Sequence, residues 1–257
     1  MRQPYAARVP PAPPLRFDPE REEAELRDYL GADFDRASLW RYAQVLDAEV
    51  AQVADESTLY RTSRAYLYDL TAFAMTGIKL PYLRVLTRHV APPARLLDYG
   101  CGIGSDGLML LEAGYRVEFA DFDNPSTAFL RWRLERRGLE APVHDLDRDV
   151  PGGFDAAYAF DVIEHVPDPY AFLGEMERRA HVVVVNLLEF GPNEHELHYE
   201  LPIRDLLLRA AGRRLEDYRL LHGSSHLVLY RPERARGARR LANLGRLAAG
   251  WVRRGRF

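Results

Sequence analysis

The chain has one cysteine and one lysine among 257 residues, and it lacks any uninterrupted apolar run of about 18 residues. Each scarcity excludes something. The single thiol, Cys101, forbids an internal disulfide and fits a reducing compartment. No membrane-spanning helix is expected, because no stretch is apolar enough for long enough. The N-terminus has six prolines in its first 19 residues and no apolar signal core, so cytoplasmic residence is the expectation. Thirty-four arginines stand against the one lysine, so the arginine richness of any segment partly reflects a preference of the whole chain.

Charge is unevenly spread. Residues 231–257 hold nine arginines and one acid, Glu233, although the whole chain has a formal net charge of −3. The folded part is therefore acidic. A nucleic-acid enzyme carries its basic surface on the folded domain, so no nucleic-acid partner is expected. The length suits one α/β core with a small accessory element.

What is present centres on residues 95–123, RLLDYGCGIGSDGLMLLEAGYRVEFADFD. Leu96 and Leu97 suit a buried parallel strand. Gly100, Gly102 and Gly104 allow a tight turn that brings backbone N–H groups to a ligand. Residues 108–112 fit a returning helix, and 117–120 a second strand. Asp121 then stands at the strand tip, where such folds hold a nucleoside ribose. Gly102, Gly104 and Gly107 also satisfy a dinucleotide fingerprint, so glycine spacing alone does not choose between families. Asp98 is the better discriminator: a carboxylate before the turn repels a pyrophosphate and welcomes a cation. Cys101, between two glycines, reads as a small side chain filling the turn rather than as a nucleophile.

These residues resemble the class I S-adenosylmethionine-dependent methyltransferases. Residues 98–104, DYGCGIG, look like their first motif, and Asp121, 21 positions after Gly100, like their ribose-binding acid, with Phe122 beside it. The resemblance runs over about residues 92–231. It implies a Rossmann-like seven-stranded sheet, mostly parallel with a C-terminal antiparallel hairpin, and S-adenosylmethionine as cofactor. The expected division is a flexible proline-rich arm over 1–19, a helical cap over 20–91, the methyltransferase domain over 92–231 and a basic tail over 232–257.

Taken in order, residues 1–18 read as an extended or mobile arm. Pro19 and Glu20 suit a helix start. Leu39, Tyr42, Leu46, Val50 and Val53 recur at helical steps, and Ser57 is a candidate cap for a helix whose stripe is Leu59, Tyr66, Leu70 and Phe73. The region 20–90 holds six of the fourteen tyrosines. In small-molecule methyltransferases such caps cover the cofactor. By that resemblance a tyrosine or arginine of 60–68, with Tyr66 the choice, binds the cofactor or the substrate; packing of the cap is the plainer alternative.

Residues 125–137 read as the helix behind Asp121, and 142–147 as a third strand. The resemblance assigns an acid after that strand to the adenine amino group: Asp145, with Asp147 the competitor. Residues 154–169, FDAAYAFDVIEHVPDP, closely match the fourth-strand motif of small-molecule and quinone-ring methyltransferases. Asp161, or the neighbouring Phe160, should face the cofactor's methionine portion. An unperturbed imidazole changes charge near neutrality, so His165 is a candidate base, with support of the pocket wall as its alternative role. Residues 181–189, HVVVVNLLE, suit a strand buried on both faces.

His195 and His198, three apart, could offer two metal ligands on a helix, but the segment looks like the family's ordinary lead into its next helix. No metal is expected. A substrate-facing role for His195, His198 or Tyr199 is the stronger expectation. Residues 215–221 and 226–231 make the closing hairpin across Gly223. In 238–252, Leu241, Leu244, Leu247 and Trp251 fall at helical steps on a basic segment, read as a frayed, solvated helix.

The expected function is methyl transfer to a small molecule, with a place in secondary metabolism. Asp98, Gly100, Gly102, Gly104, Asp121, Phe122, Asp145, Asp161 and Tyr66 would hold the cofactor, and His165, His198 or Tyr199 would act on the acceptor. Two alternatives keep the cofactor. One closes its aminobutyrate chain into a small-ring amino acid, releasing methylthioadenosine; the other is a non-catalytic binding subunit. The oligomeric state is not legible.

Overall fold

A computed structural model of the chain describes residues 14–41, 44, 61–189 and 198–254, with the backbone alone for 251–254. Local signals start its helices. Pro19 opens α1 (Pro19–Leu30) behind Asp18, whose carboxylate accepts the Arg21 N–H at 3.0 Å. Pro125 and Pro169 open two later helices in the same way, capped by Asn124 and Asp168. Proline suits a first turn, whose N–H groups are unbonded within the helix, and the preceding side chain satisfies the next donors.

The other described elements follow as α2 (Arg36–Trp40), α3 (Ala65–Met75), α4 (Leu80–His89), β1 (Arg95–Tyr99), α5 (Ser105–Glu112), β2 (Arg116–Asp121) and α6 (Pro125–Arg136). Then come β3 (Val143–Asp145), β4 (Phe154–Ala159), α7 (Pro169–Arg179), β5 (Ala180–Leu188), α8 (Ile203–Ala211), β6 (Arg213–Leu221), β7 (Ser225–Arg234) and α9 (Ala238–Arg254).

The seven strands form one sheet in the order β3-β2-β1-β4-β5-β7-β6. All pairs from β3 to β5 are parallel, and β7 runs antiparallel to both β5 and β6. This is the expected Rossmann-like sheet with its closing hairpin. Alternation along the strands divides the core. Leu97, Ala157, Val183 and Val185 pack on one face, and Leu96, Phe119, Tyr158, Val182 and Val184 on the other. The chain winds outward in opposite directions from β1 and β4, so their carboxyl ends diverge into a crevice, the usual ligand position in open parallel sheets.

Three expectations meet a different arrangement. Residues 14–18 of the proposed mobile arm are packed: Leu15 lies against the core and Phe17 beside Gly77. The stripe Tyr66, Leu70 and Phe73 faces a cavity, while α3 buries Leu67, Tyr68 and Thr71. The basic tail is neither frayed nor wholly solvated. β7 already extends to Arg234, and α9 docks through Leu247, Leu244 and buried Asn243, whose amide donates to the carbonyls of Ala211 and Arg213 at 3.0 and 2.9 Å. Arginines cover its outer face while an apolar stripe with one amide anchors the inner one. Tyr42, Leu46, Val50, Val53, Ser57, Leu59 and His195 lie outside the described residues.

Candidate functional site

The turn after β1 is built on glycine. Gly100 and Gly104 have φ of 82° and 73°, a region that side chains rarely adopt. A Cβ at Gly100 would stand 2.6 Å from Val162 Cγ1, and one at Gly104 would stand 2.4 Å from Leu130 Cδ1. The backbone is thus held close to the segment that follows β4 and to α6. Asp121 fastens the turn from β2: its carboxylate accepts the N–H groups of Gly102 and Phe122 at 2.7 and 2.8 Å. Burial raises the Asp121 pKa, with these two donors opposing. Each oxygen keeps a further lone pair for a ligand.

The carboxyl ends of β1, β2 and β4 open onto one cavity of about 710 Å³. Its wall includes Gly100, Gly102, Asp121, Phe122, Asp161 and His165 from the sheet side. Tyr66, Leu70, Phe73 and Lys79 close it from the cap, and Phe17 reaches it from the segment before α1. Gly104 terminates the turn just behind the wall as the N-cap of α5.

Lys79, the chain's sole lysine, sits between carboxylates. Its Nζ donates to the Phe160 carbonyl at 2.9 Å and lies 3.8 Å from both Asp106 Oδ2 and Asp161 Oδ2. Burial works against its charge, but Asp106, Asp161, Asp98 and Glu164 outweigh it and raise its pKa. The acids respond in turn. Burial, followed by the neighbouring Asp106, pushes Asp98 up to about 8. Burial also moves Asp106 and Asp69 to about 6 against the pull of cations, and moves Glu164, next to Asp161, to about 7. Asp98 lies under the turn rather than in the wall. Its Oδ2 is buried and meets no donor at bonding geometry, although the Tyr158 hydroxyl stands nearby.

Asp161 adopts a left-handed backbone with φ 55° and is held by Asn186 of β5. His165 borders the cavity, and its ring lies 4.5 Å, centroid to centroid, from that of His198. The structure therefore brings these two predicted residues together although they are far apart in sequence. Tyr199, 43% exposed, is not among the residues that line the cavity, and its backbone N–H bonds to the Glu164 carbonyl at 2.7 Å.

Asp145 stands apart from the main wall. It borders a smaller hollow with Asp123, Arg131 and His144, and its side chain accepts the Asp147 N–H. Asp147 pairs with both guanidinium nitrogens of Arg61, and that guanidinium lies 4.1 Å over the Phe122 ring. Cys101 is held as a thiol, because burial and the nearby Asp121 and Asp98 raise its pKa well above the ordinary value. Among the described residues no cluster of histidine, cysteine and carboxylate ligands is arranged for a metal ion.

Sequence reasoning missed Lys79, Asp69, Asp106 and Asn186. Lys79 carried one signal, its singularity in an arginine-rich chain, and Asn186 another, as the polar residue in an apolar run.

The family described as "Methyltransferase domain" matches residues 77–199. A ubiquinone biosynthesis O-methyltransferase of Xanthomonas campestris pv. campestris is 31% identical over 105 residues, 39% of this chain and 43% of the relative. That of Bordetella pertussis is 32% identical over 80 residues, covering 29% and 33%. The chain thus matches less than half the length of these curated relatives. Among solved structures, Burkholderia thailandensis 1,6-didemethyltoxoflavin-N1-methyltransferase, with bound 1,6-didemethyltoxoflavin and S-adenosylhomocysteine, superposes at TM-score 0.53 and 21% identity over 79% of this chain and 93% of that one. Mitomycin 7-O-methyltransferase gives 0.52 and 18% over 85% and 73%. At such identities these structures show a shared fold.

Proposed function

We propose that this chain, whose residues 77–199 match the family described as "Methyltransferase domain", is a class I methyltransferase that transfers the methyl group of S-adenosylmethionine to a small-molecule acceptor. One observation carries the reading: the glycine turn, Asp121, Asp161 and His165, which follow or end the neighbouring strands β1, β2 and β4, line a single cavity. The residues fit a cationic nucleoside ligand. The cradle at Gly100 has no room for a Cβ, and the buried Asp98 oxygen lacks a donor, so the site is short of positive charge.

In this reading Asp121 binds the ribose hydroxyls and Phe122, with Arg61 over it, borders the adenine. Asp145 or Asp147, which flank the wall residue Leu146, receives the adenine amino group. The amino-acid arm lies toward Asp161, Asp106 and Lys79, with acids for its ammonium and the lysine for its carboxylate, and Tyr66 closes the cap side. When bound, the cofactor supplies an electrophilic methyl carbon beside its sulfonium. The chain's own task is to align an acceptor behind that carbon and to exclude water. Phe73, Ile78, Val166 and Phe172 give the acceptor an apolar wall. His165 takes the acceptor's proton at an imidazole nitrogen, with the His198 ring tilted beside it. The O-methyltransferase names of the curated relatives support a hydroxyl as the accepting group.

Incubation with S-adenosylmethionine alone and with a panel of hydroxylated small molecules tests this by the nucleoside released. Acceptor-dependent S-adenosylhomocysteine is expected. Methylthioadenosine formed without acceptor would replace the proposal by cyclisation of the cofactor. Tight binding without turnover across the panel would replace it by a binding subunit.

A further inference from the structure

Asn186 occupies the interior of β5, within the run HVVVVNLL, and is fully buried. A primary amide there is costly unless its donors and acceptor are used. All of its recorded bonds run toward the cavity wall or its support. Oδ1 accepts the Asp161 backbone N–H at 2.8 Å, while Nδ2 donates to Asp161 Oδ1 at 2.6 Å and to Ser225 Oγ at 3.3 Å. The orientation of the amide is forced, because only its oxygen can face an N–H.

The anchor continues outward. Ser225, buried at the start of β7, also receives the Tyr82 hydroxyl at 2.8 Å. Tyr82 lies in α4, one turn beyond Lys79, and its ring packs against Phe160 at 5.3 Å between centroids. Cap, β4, β5 and β7 therefore meet through one polar chain. Its effect on Asp161 is specific. The backbone of this residue is left-handed, and its N–H, past the last ladder bond of β4, is satisfied by the amide. With Oδ1 engaged by Asn186, Oδ2 is turned toward Lys79 and the cavity.

We propose that Asn186, backed by Ser225 and Tyr82, is the positioning residue that presents the Asp161 carboxylate to the amino-acid arm of the cofactor. The inference rests on the reading of the cavity as the S-adenosylmethionine site. It predicts an effect confined to one end of the ligand, which loss of packing alone would not produce.

Two probes separate the ends: S-adenosylhomocysteine carries the amino-acid arm, and methylthioadenosine keeps the nucleoside without it. By calorimetry on the full chain, Asn186→Ala should weaken S-adenosylhomocysteine binding by about tenfold or more, from two lost hydrogen bonds. Methylthioadenosine affinity should stay within about twofold, which is within the noise of surface-level changes. The double variant with Asp161→Ala should bind no more weakly than Asp161→Ala alone, since both act through one carboxylate. Equal weakening of both ligands, or unchanged binding of S-adenosylhomocysteine, overturns the inference. Should the alanine variant not fold, Asn186→Asp keeps the shape and sets a second carboxylate against Asp161. The same split between ligands is then expected, and its absence is equally decisive. Failure of the wild-type chain to bind either probe would instead remove the cofactor reading, and this inference with it.

Discussion

Asp98 gives the cavity a measurable dependence on pH. Its carboxyl is pushed up to about 8 chiefly by burial and then by the like charge of Asp106, so near neutrality it holds a proton. A ligand with net positive charge favours the ionised form and must displace that proton. If the complex keeps Asp98 ionised, observed affinity follows the ionised fraction of the empty protein. That fraction is about 1% at pH 6, about 9% at pH 7 and about half at pH 8. Affinity should therefore rise about fiftyfold from pH 6 to pH 8 at most, with about 0.9 proton released per ligand at pH 7. Calorimetry with S-adenosylmethionine, whose sulfonium gives it the net positive charge, in two buffers of different ionisation enthalpy reads both quantities. Glu164, near 7, and Asp106 and Asp69, near 6, titrate in the same direction, so Asp98→Asn is the necessary control. It should remove most of the rise between about pH 7 and pH 8, where Glu164 is already at least half ionised and the ionised fraction of Asp98 still grows about fivefold. A flat wild-type profile, or an unaltered rise in the variant, would refute the reasoning. The same shift acts on stability with a fixed sign. A carboxyl whose folded value is raised stabilises the empty protein fully below its unfolded value and loses that contribution as pH rises toward 8, so the melting temperature of the empty chain should fall across that window.

Three further outcomes are expected. Asp121→Ala removes a carboxylate that ties Gly102 and Phe122 and faces the proposed ribose, and should weaken cofactor binding by about 1–3 kcal/mol in calorimetry; unchanged affinity would dismiss that role. His165→Gln should lower the methyl-transfer rate by about 10²–10⁴ with cofactor affinity preserved, and a rate within a factor of a few of wild type would make His165 a wall residue. Asn243→Ala leaves the carbonyls of Ala211 and Arg213 without their side-chain donor beneath α9. It should cost about 1–3 kcal/mol in denaturant unfolding, whereas a neutral result would return α9 to a loosely attached helix.

The sheet was legible because its signals are local and redundant. Apolar runs end at Asp98, Asp121 and Asp161, and the observed β1, β2 and β4 end at or within two residues of them. The hairpin was announced by Gly223 between two apolar segments, and the structure turns there at φ 80°. The cap was less legible for a physical reason. Tyr66, Leu70 and Phe73 have the helical spacing of a core face, but an apolar cavity wall produces the same periodicity. Lys79 could not be placed by pattern, because a single cation on a turn has no period. Only the fold shows that it is set among acids on three other segments. The tail misled through composition: its arginines describe the solvent face of α9, while three inward residues, Asn243, Leu244 and Leu247, decide its docking.

The attachment of the cap explains why site and cap belong to one unit. Arg133 of α6 is 0% exposed and reaches in three directions at once. Its guanidinium binds Glu22 and Glu25 of α1 at 2.6 and 2.7 Å, and donates to the Ile103 carbonyl and the Ser105 hydroxyl of the glycine turn at 2.9 Å. Ser105 Oγ in turn donates to Glu22 at 2.7 Å, and Arg137 adds two bonds to Glu25 at 2.7 Å. With these partners Glu25 keeps its carboxyl below the ordinary value despite a desolvation cost that would raise it. Buried ions of this kind need every partner, since removal of one leaves an uncompensated charge worth about 3–5 kcal/mol. Helix α1 therefore cannot lift from the glycine turn without breaking several such bonds together. The turn that would cradle the nucleoside and the helix that closes over it are ordered by the same arginine.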